Sequence, residues 1–106
     1  MNKIYNKLVR DRIPEILKES KQIPNYIILS DEEYTAELDK KLKEETLEYL
    51  ENKDVEELAD VYEVLHAICE VRGITEEEII EIRKKKTEER GAFQKKIMLK
   101  SVKKQI

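Results

Sequence analysis

Lys43–Val64 reads KEETLEYLENKDVEELADVYEV, and the reading of this stretch decides the fold. The polar break Glu51–Asn52–Lys53–Asp54 separates two segments of helical character. Asp54 with Glu57 three residues on is a capping-box pattern, which predicts the start of the second helix there. A turn this short forces the helices to run antiparallel and pack as a hairpin. Glu45 and Glu48 are three apart and share a face of the first helix; Glu57 and Asp60 do the same on the second. Folding the chain about the Asn52–Lys53 bond sets Glu48 opposite Glu57 and Glu45 opposite Asp60.

Four carboxylates from two helices then converge on one small volume. Two of them ~4 Å apart repel by roughly 4 kcal/mol at an effective dielectric of about 20, so the cluster calls for cations. Hard divalent ions such as Mg²⁺ or Mn²⁺ take oxygen ligands of this kind. A solvated acidic face is the plain alternative in so acidic a chain. The apolar pattern argues for the metal site: Tyr34, Leu38, Leu42 and Tyr49 form one stripe with Glu45 inside it, and Glu57 leads a line through Val61, Val64, Ile68 and Val71. Acids on core-facing stripes are costly unless paired or metal-bound.

Working outward, Ser30-Asp31-Glu32-Glu33 is a capping box that opens the first long helix, up to about Glu51. The second, from Asp54 to about Arg72, ends at Gly73, a natural residue for that position. It carries a further apolar line, Leu58, Tyr62, Leu65 and Cys69. A helix apolar over so much of its circumference is buried on several sides, and so few helices cannot surround it. A homo-oligomer, dimer or tetramer, is expected. Thr75 with Glu78 caps a last helix carrying Ile79, Ile80 and Ile82, whose inward face continues as Lys86 and Arg90 until Gly91 ends it. Before the hairpin, residues 1–12 read as extended. Pro14 suits the first turn of a short helix to about Ser20, with Asp11 as a possible cap. Residues 24–29 are β-branched and aromatic enough for a short extended piece, but not for a sheet.

The 106 residues make one small all-α domain, 42% charged, with two glycines and two prolines that leave little room for linkers. Its single cysteine, Cys69, allows no disulfide framework within one chain. With no signal-peptide run and no stretch of membrane-spanning length, a cytoplasmic setting and no membrane contact are expected. Charge is uneven: Arg83–Ile106 holds ten basic and two acidic residues, a balance of +8, against −11 for the remainder. Such a basic end fits phosphate binding, pairing with acids of another subunit, nucleic-acid contact, or a solvated tail from Lys95 onward (the basic tail, residues 95–106). Nucleic-acid binding is not expected, because only Phe93 supplies an aromatic among the basic residues.

Glu44–Glu45–x–x–Glu48 followed by Glu57–x–x–Asp60 resembles the EExxE…ExxD signature of the all-α nucleoside triphosphate pyrophosphohydrolases, the MazG-like superfamily. The opening Tyr5-Asn6-Lys7-Leu8-Val9-Arg10-Asp11-Arg12-Ile13-Pro14 is similar to one branch of it, the small phosphoribosyl-ATP pyrophosphohydrolase-like proteins, as is Glu89-Arg90-Gly91-x-Phe93. The resemblance implies a helical bundle built on the antiparallel hairpin. It also implies Mg²⁺-dependent (Mn²⁺ possible) hydrolysis of a nucleoside triphosphate or related nucleotide between the α and β phosphates. Glu45, Glu48, Glu57 and Asp60 would be the metal ligands, with Glu44 beside them to orient or deprotonate the water. Lys7, Arg10, Lys86 and Arg90 are candidates for the phosphates, where planar Arg is well matched. Clearing aberrant nucleotides and a biosynthetic step both fit. The reading from another class is a non-catalytic helical interaction module with a solvated acidic face. Glu63–x–x–His66 matches half of a di-iron motif, but His66 is the only histidine, and Cys69 lacks an obvious histidine–acid partnership.

Overall fold

The computed structural model describes residues 2–105. These form four helices, α1 (Ile13–Glu19), α2 (Asp31–Asn52), α3 (Val55–Val71) and α4 (Glu76–Arg90), and no strand among the described residues. The protein is all-α. It divides into two compact units, one ending at Ile74 and the other beginning at Thr75.

In the first unit, α2 starts where the sequence says it should. The Ser30 hydroxyl accepts from the Glu33 N–H at 3.2 Å while Glu33 accepts from the Ser30 N–H at 3.2 Å, so two of the orphan donors of the helix start are satisfied reciprocally. The Ser30 hydroxyl, donating to the Glu33 carboxylate at 2.9 Å, and then the Ser30 N–H hold that carboxyl below its ordinary value of 4.5. α2 runs through Asn52, leaving only Lys53 and Asp54 as the connection. Lys53 lies at φ 59° and donates its N–H to the Tyr49 carbonyl at 2.7 Å. A non-glycine residue in that region costs roughly 1–2 kcal/mol, which the hairpin tolerates to reverse direction in two residues. The capping box expected at Asp54 is not formed: Asp54 is the N-cap residue, but its side chain caps nothing. Glu57 instead accepts from the Asn52 amide across the turn at 3.1 Å. The turn is too tight for both arrangements, and the hairpin-spanning bond wins.

Gly73, at φ 69°, ends α3 as expected. The Ile74 N–H reaches the Cys69 carbonyl at 2.8 Å and the Gly73 N–H reaches that of Glu70 at 3.2 Å, a Schellman closure that needs the left-handed residue. α1 begins one residue later than an Asp11 cap requires; Arg12 is its N-cap and makes no capping bond, while Pro14 sits in the first turn.

α2 packs on α3. The core between them is thin. Leu38 (2% exposed) and Val64 (7%) are its buried apolar side chains; Tyr34, Leu42 and Tyr49 on α2 and Val61, Ile68 and Val71 on α3 are half-buried. Both predicted stripes therefore face each other. The second apolar line of α3 does not find cover in this chain: Leu58, Tyr62 and Leu65 are exposed, as are Leu47 and Leu50 of α2.

In the second unit, Thr75 and Glu78 form the expected capping box, and Gly91 closes α4 at φ 82°. No residue of α4 is buried. Ile79, Ile80 and Ile82, on the face expected to turn inward, are exposed. No helix among the described residues is long and apolar enough to cross a membrane.

Candidate metal centre

The hairpin brings together three of the four carboxylates singled out in the sequence. One carboxylate oxygen each from Glu45, Glu57 and Asp60 lie within 4.8 Å of one another. Glu48 lies outside that trio but beside Glu45. Its carboxyl is held above the ordinary 4.5, first by a hydrogen bond to Glu45 when it carries a proton, then by the negative charges of Glu45 and Glu57.

Glu45 is the centre of this arrangement. It is the buried polar side chain among the described residues, 7% exposed. Its Oε1 lies 3.0 Å from the Lys41 ammonium, one helical turn back. Its other oxygen, Oε2, is buried with no hydrogen-bond partner. An unsatisfied buried acceptor costs about 1–3 kcal/mol, and more when charged. Glu48 can answer it while protonated; with the neighbouring carboxylates ionised, a cation is the partner that fits. The donor set, all carboxylate oxygen on two rigid helices, fits a hard divalent ion.

The remaining candidates sort by place. Glu44 lies at the rim, 3.0 Å from the Lys7 ammonium and 2.8 Å from that of Lys41. Partial burial opposes its ionisation, but the two ammonium bonds outweigh that and hold its carboxyl below the ordinary value. Arg10 donates to Asp60 at 2.8 Å and lies 3.6 Å from Glu63. The bond to Asp60 keeps its guanidinium raised against a small desolvation. The N-terminal segment thus brings both Lys7 and Arg10 to the acidic group. Lys86 and Arg90 are exposed on α4 in the other unit. His66 pairs along its own helix with Glu70 at 2.8 Å while Glu63 turns to Arg10, so the half-motif for iron is not assembled.

Two residues of the site escape a reading by carboxylates alone. Lys41, 15% exposed at its side chain, bridges Glu44 and Glu45; burial lowers its pKa, yet those bonds more than compensate and leave it raised. Its signal was the i, i+4 spacing to Glu45. Glu63, the second partner of Arg10, lies three residues beyond Asp60 on the same face of α3.

No protein-family model matches the chain. A stretch of 41 residues, 39% of the chain, is 56% identical to an uncharacterized protein of Mycolicibacterium smegmatis. That match covers 42% of the relative's own length, so the chain spans less than half of it. No solved structure matches.

Proposed function

We propose that this protein is a divalent-metal-dependent nucleoside triphosphate pyrophosphohydrolase of MazG-like type, acting as a homo-oligomer. The observation that carries the reading is Glu45 Oε2, buried and unpartnered among Glu48, Glu57 and Asp60. The sequence resemblance in the same four positions supports it. Mg²⁺ or Mn²⁺ held there supplies positive charge to phosphate oxygens and acidifies water.

The chain's own residues take the remaining roles. Glu45, Glu48, Glu57 and Asp60 hold the metal. Glu44, with its carboxyl kept below the ordinary range, is a poor proton acceptor, which favours orienting the water over deprotonating it. Lys7 and Arg10 already lie against the acidic rim and offset part of its charge. A nucleoside triphosphate brings roughly four more negative charges, so these cations are needed once it arrives. Association rests on the uncovered line Leu58, Tyr62 and Leu65, and on a core with only two buried apolar side chains among the described residues. Exposed apolar surface on this scale is covered in stable proteins.

One observation favours a second reading, a non-catalytic interaction module. Glu44 and Asp60 are paired internally with Lys7, Lys41 and Arg10, as in a structural ion network. The test separates the two. A panel of canonical and modified nucleoside triphosphates is incubated with the protein and Mg²⁺ or Mn²⁺, and monophosphate and pyrophosphate are quantified. Equimolar release of both is expected for at least one nucleotide. Orthophosphate release would put cleavage at the terminal phosphate and overturn the pyrophosphohydrolase reading, and no turnover together with no stoichiometric metal binding by calorimetry would leave the interaction module.

A further inference from the structure

Beside the carboxylate group, within the first unit, a cleft of about 190 Å³ opens between residues 6–8 and α2, where Glu37, Lys40, Lys41 and Glu44 line it. Its chemistry is distinct from that of the metal centre. Lys7, Lys40 and Lys41 contribute three ammonium groups against two carboxylates. Both carboxylates are already met by cations: Glu37 by Lys40 at 3.3 Å, and Glu44 by Lys7 at 3.0 Å and Lys41 at 2.8 Å. Among the lining residues alone the balance is one positive charge, with Lys41 also shared by Glu45 behind the wall.

Size and composition restrict what can enter. Pockets that enclose a whole drug-sized ligand measure about 300–1,000 Å³, so this cleft admits a part of a nucleotide and not all of it. No aromatic side chain lines it, so a base has no face to stack on. Ammonium groups at the mouth of so small a cleft suit phosphate oxygens, for which lysine acts as a point charge. Lys41 ties the cleft to the metal centre: one ammonium, largely buried, contacts Glu44 on the cleft side and Glu45 on the metal side.

We propose that this lysine-lined cleft receives the pyrophosphate end of the substrate, with Lys40 and Lys41 joining Lys7 as phosphate-binding residues. The assignment rests on the pyrophosphohydrolase reading and gives it a direction: the β and γ phosphates lie toward the N-terminal segment, and the nucleoside extends away from it.

Inorganic pyrophosphate is the probe. Its affinity is measured by calorimetry with the full chain in Mg²⁺ at fixed ionic strength, with a nucleoside monophosphate as comparison. Lys41→Gln deprives Glu45 of its cation and can unfold the hairpin, so the exposed pair Lys7→Gln/Lys40→Gln carries the test, with circular dichroism to confirm the fold. The expected result is pyrophosphate affinity lowered roughly tenfold in the double variant, in line with the loss of charged hydrogen bonds, and monophosphate affinity unchanged. Lys41→Arg should retain affinity where Lys41→Gln loses it. Pyrophosphate binding equal in parent and double variant, or absent in the parent, overturns the assignment, whatever the turnover. If pyrophosphate binds through these lysines but no nucleoside triphosphate is hydrolysed, the cleft stands and the proposed reaction falls.

Discussion

Replacing Glu45 by Gln should stabilise the metal-free protein and destabilise it relative to the parent once metal is added. The magnitude follows from the distances. At an effective dielectric of 20, charges 4.8 Å apart repel by about 3.5 kcal/mol, so Glu57 and Asp60 together oppose ionised Glu45 by about 7 kcal/mol before screening. Lys41 at 3.0 Å returns about 5.5 kcal/mol, and Arg10 on Asp60 weakens that acid's share. Attraction and repulsion nearly cancel. What decides the sign is the cost of holding the charge out of water, several kcal/mol for a buried ion. Gln removes that cost and turns the unpartnered Oε2 position into a donor facing carboxylates, while Lys41 keeps Glu44 at 2.8 Å. A net gain of about 1–3 kcal/mol remains, or about 4–8 °C in Tm for each kcal/mol. Metal at a thousandfold excess over its Kd returns about 4.1 kcal/mol to the parent alone, so the order of melting should reverse between EDTA and Mg²⁺ or Mn²⁺. Thermal melts followed by far-ultraviolet circular dichroism measure both. A Glu45→Gln protein that melts below the parent in EDTA, or that gains as much from metal as the parent does, refutes the reasoning.

Three further outcomes are expected. Lys53→Gly should leave stability unchanged or raise it by up to about 1 kcal/mol, and Lys53→Ile should lower it by about 1–2 kcal/mol, because only glycine enters φ 59° without strain; chemical denaturation decides, and an Ile variant as stable as the parent would show the turn to be different in solution. Tyr62→Glu, on the exposed line of α3, should shift the protein toward monomer in light scattering with its helix content intact; a parent that is monomeric at low micromolar concentration ends the association proposal. The lowered pKa of Glu33 means that its stabilisation of α2 is present above the unfolded value near 4.5 and is lost as pH falls through the folded value. Glu33→Gln should flatten that acid limb in a pH series of melts, and an unchanged limb would detach it from the capping box.

The hairpin, its antiparallel sense and the approach of acids from its two helices were legible because each rests on local rules that agree: a short polar break, helical spacing, and stripes that must face inward. Where local rules compete, the sequence could not choose. Asp54 and Asn52 both offer bonds at the turn, and only the packed geometry shows that Asn52 spans it to Glu57 while Asp54 caps nothing. α3 posed the same problem on a larger scale. Two apolar lines were visible, but not which one the chain itself would cover. The structure answers with Val64, buried at 7% exposure against α2, while Tyr62 stands 74% exposed. A charge at Val64 would therefore unfold the hairpin and say nothing of assembly, whereas a charge at Tyr62 reads assembly alone. In the sequence, Lys41 among so many acids reads as ordinary surface compensation. Its position becomes informative only when burial is known: an ammonium 15% exposed, shared by Glu44 and Glu45, holds charge balance in the one place where the hairpin buries a carboxylate. The acids announce that a cation is required, and the burial of Glu45 with one oxygen answered and the other bare shows that the chain's own lysine meets half of that requirement.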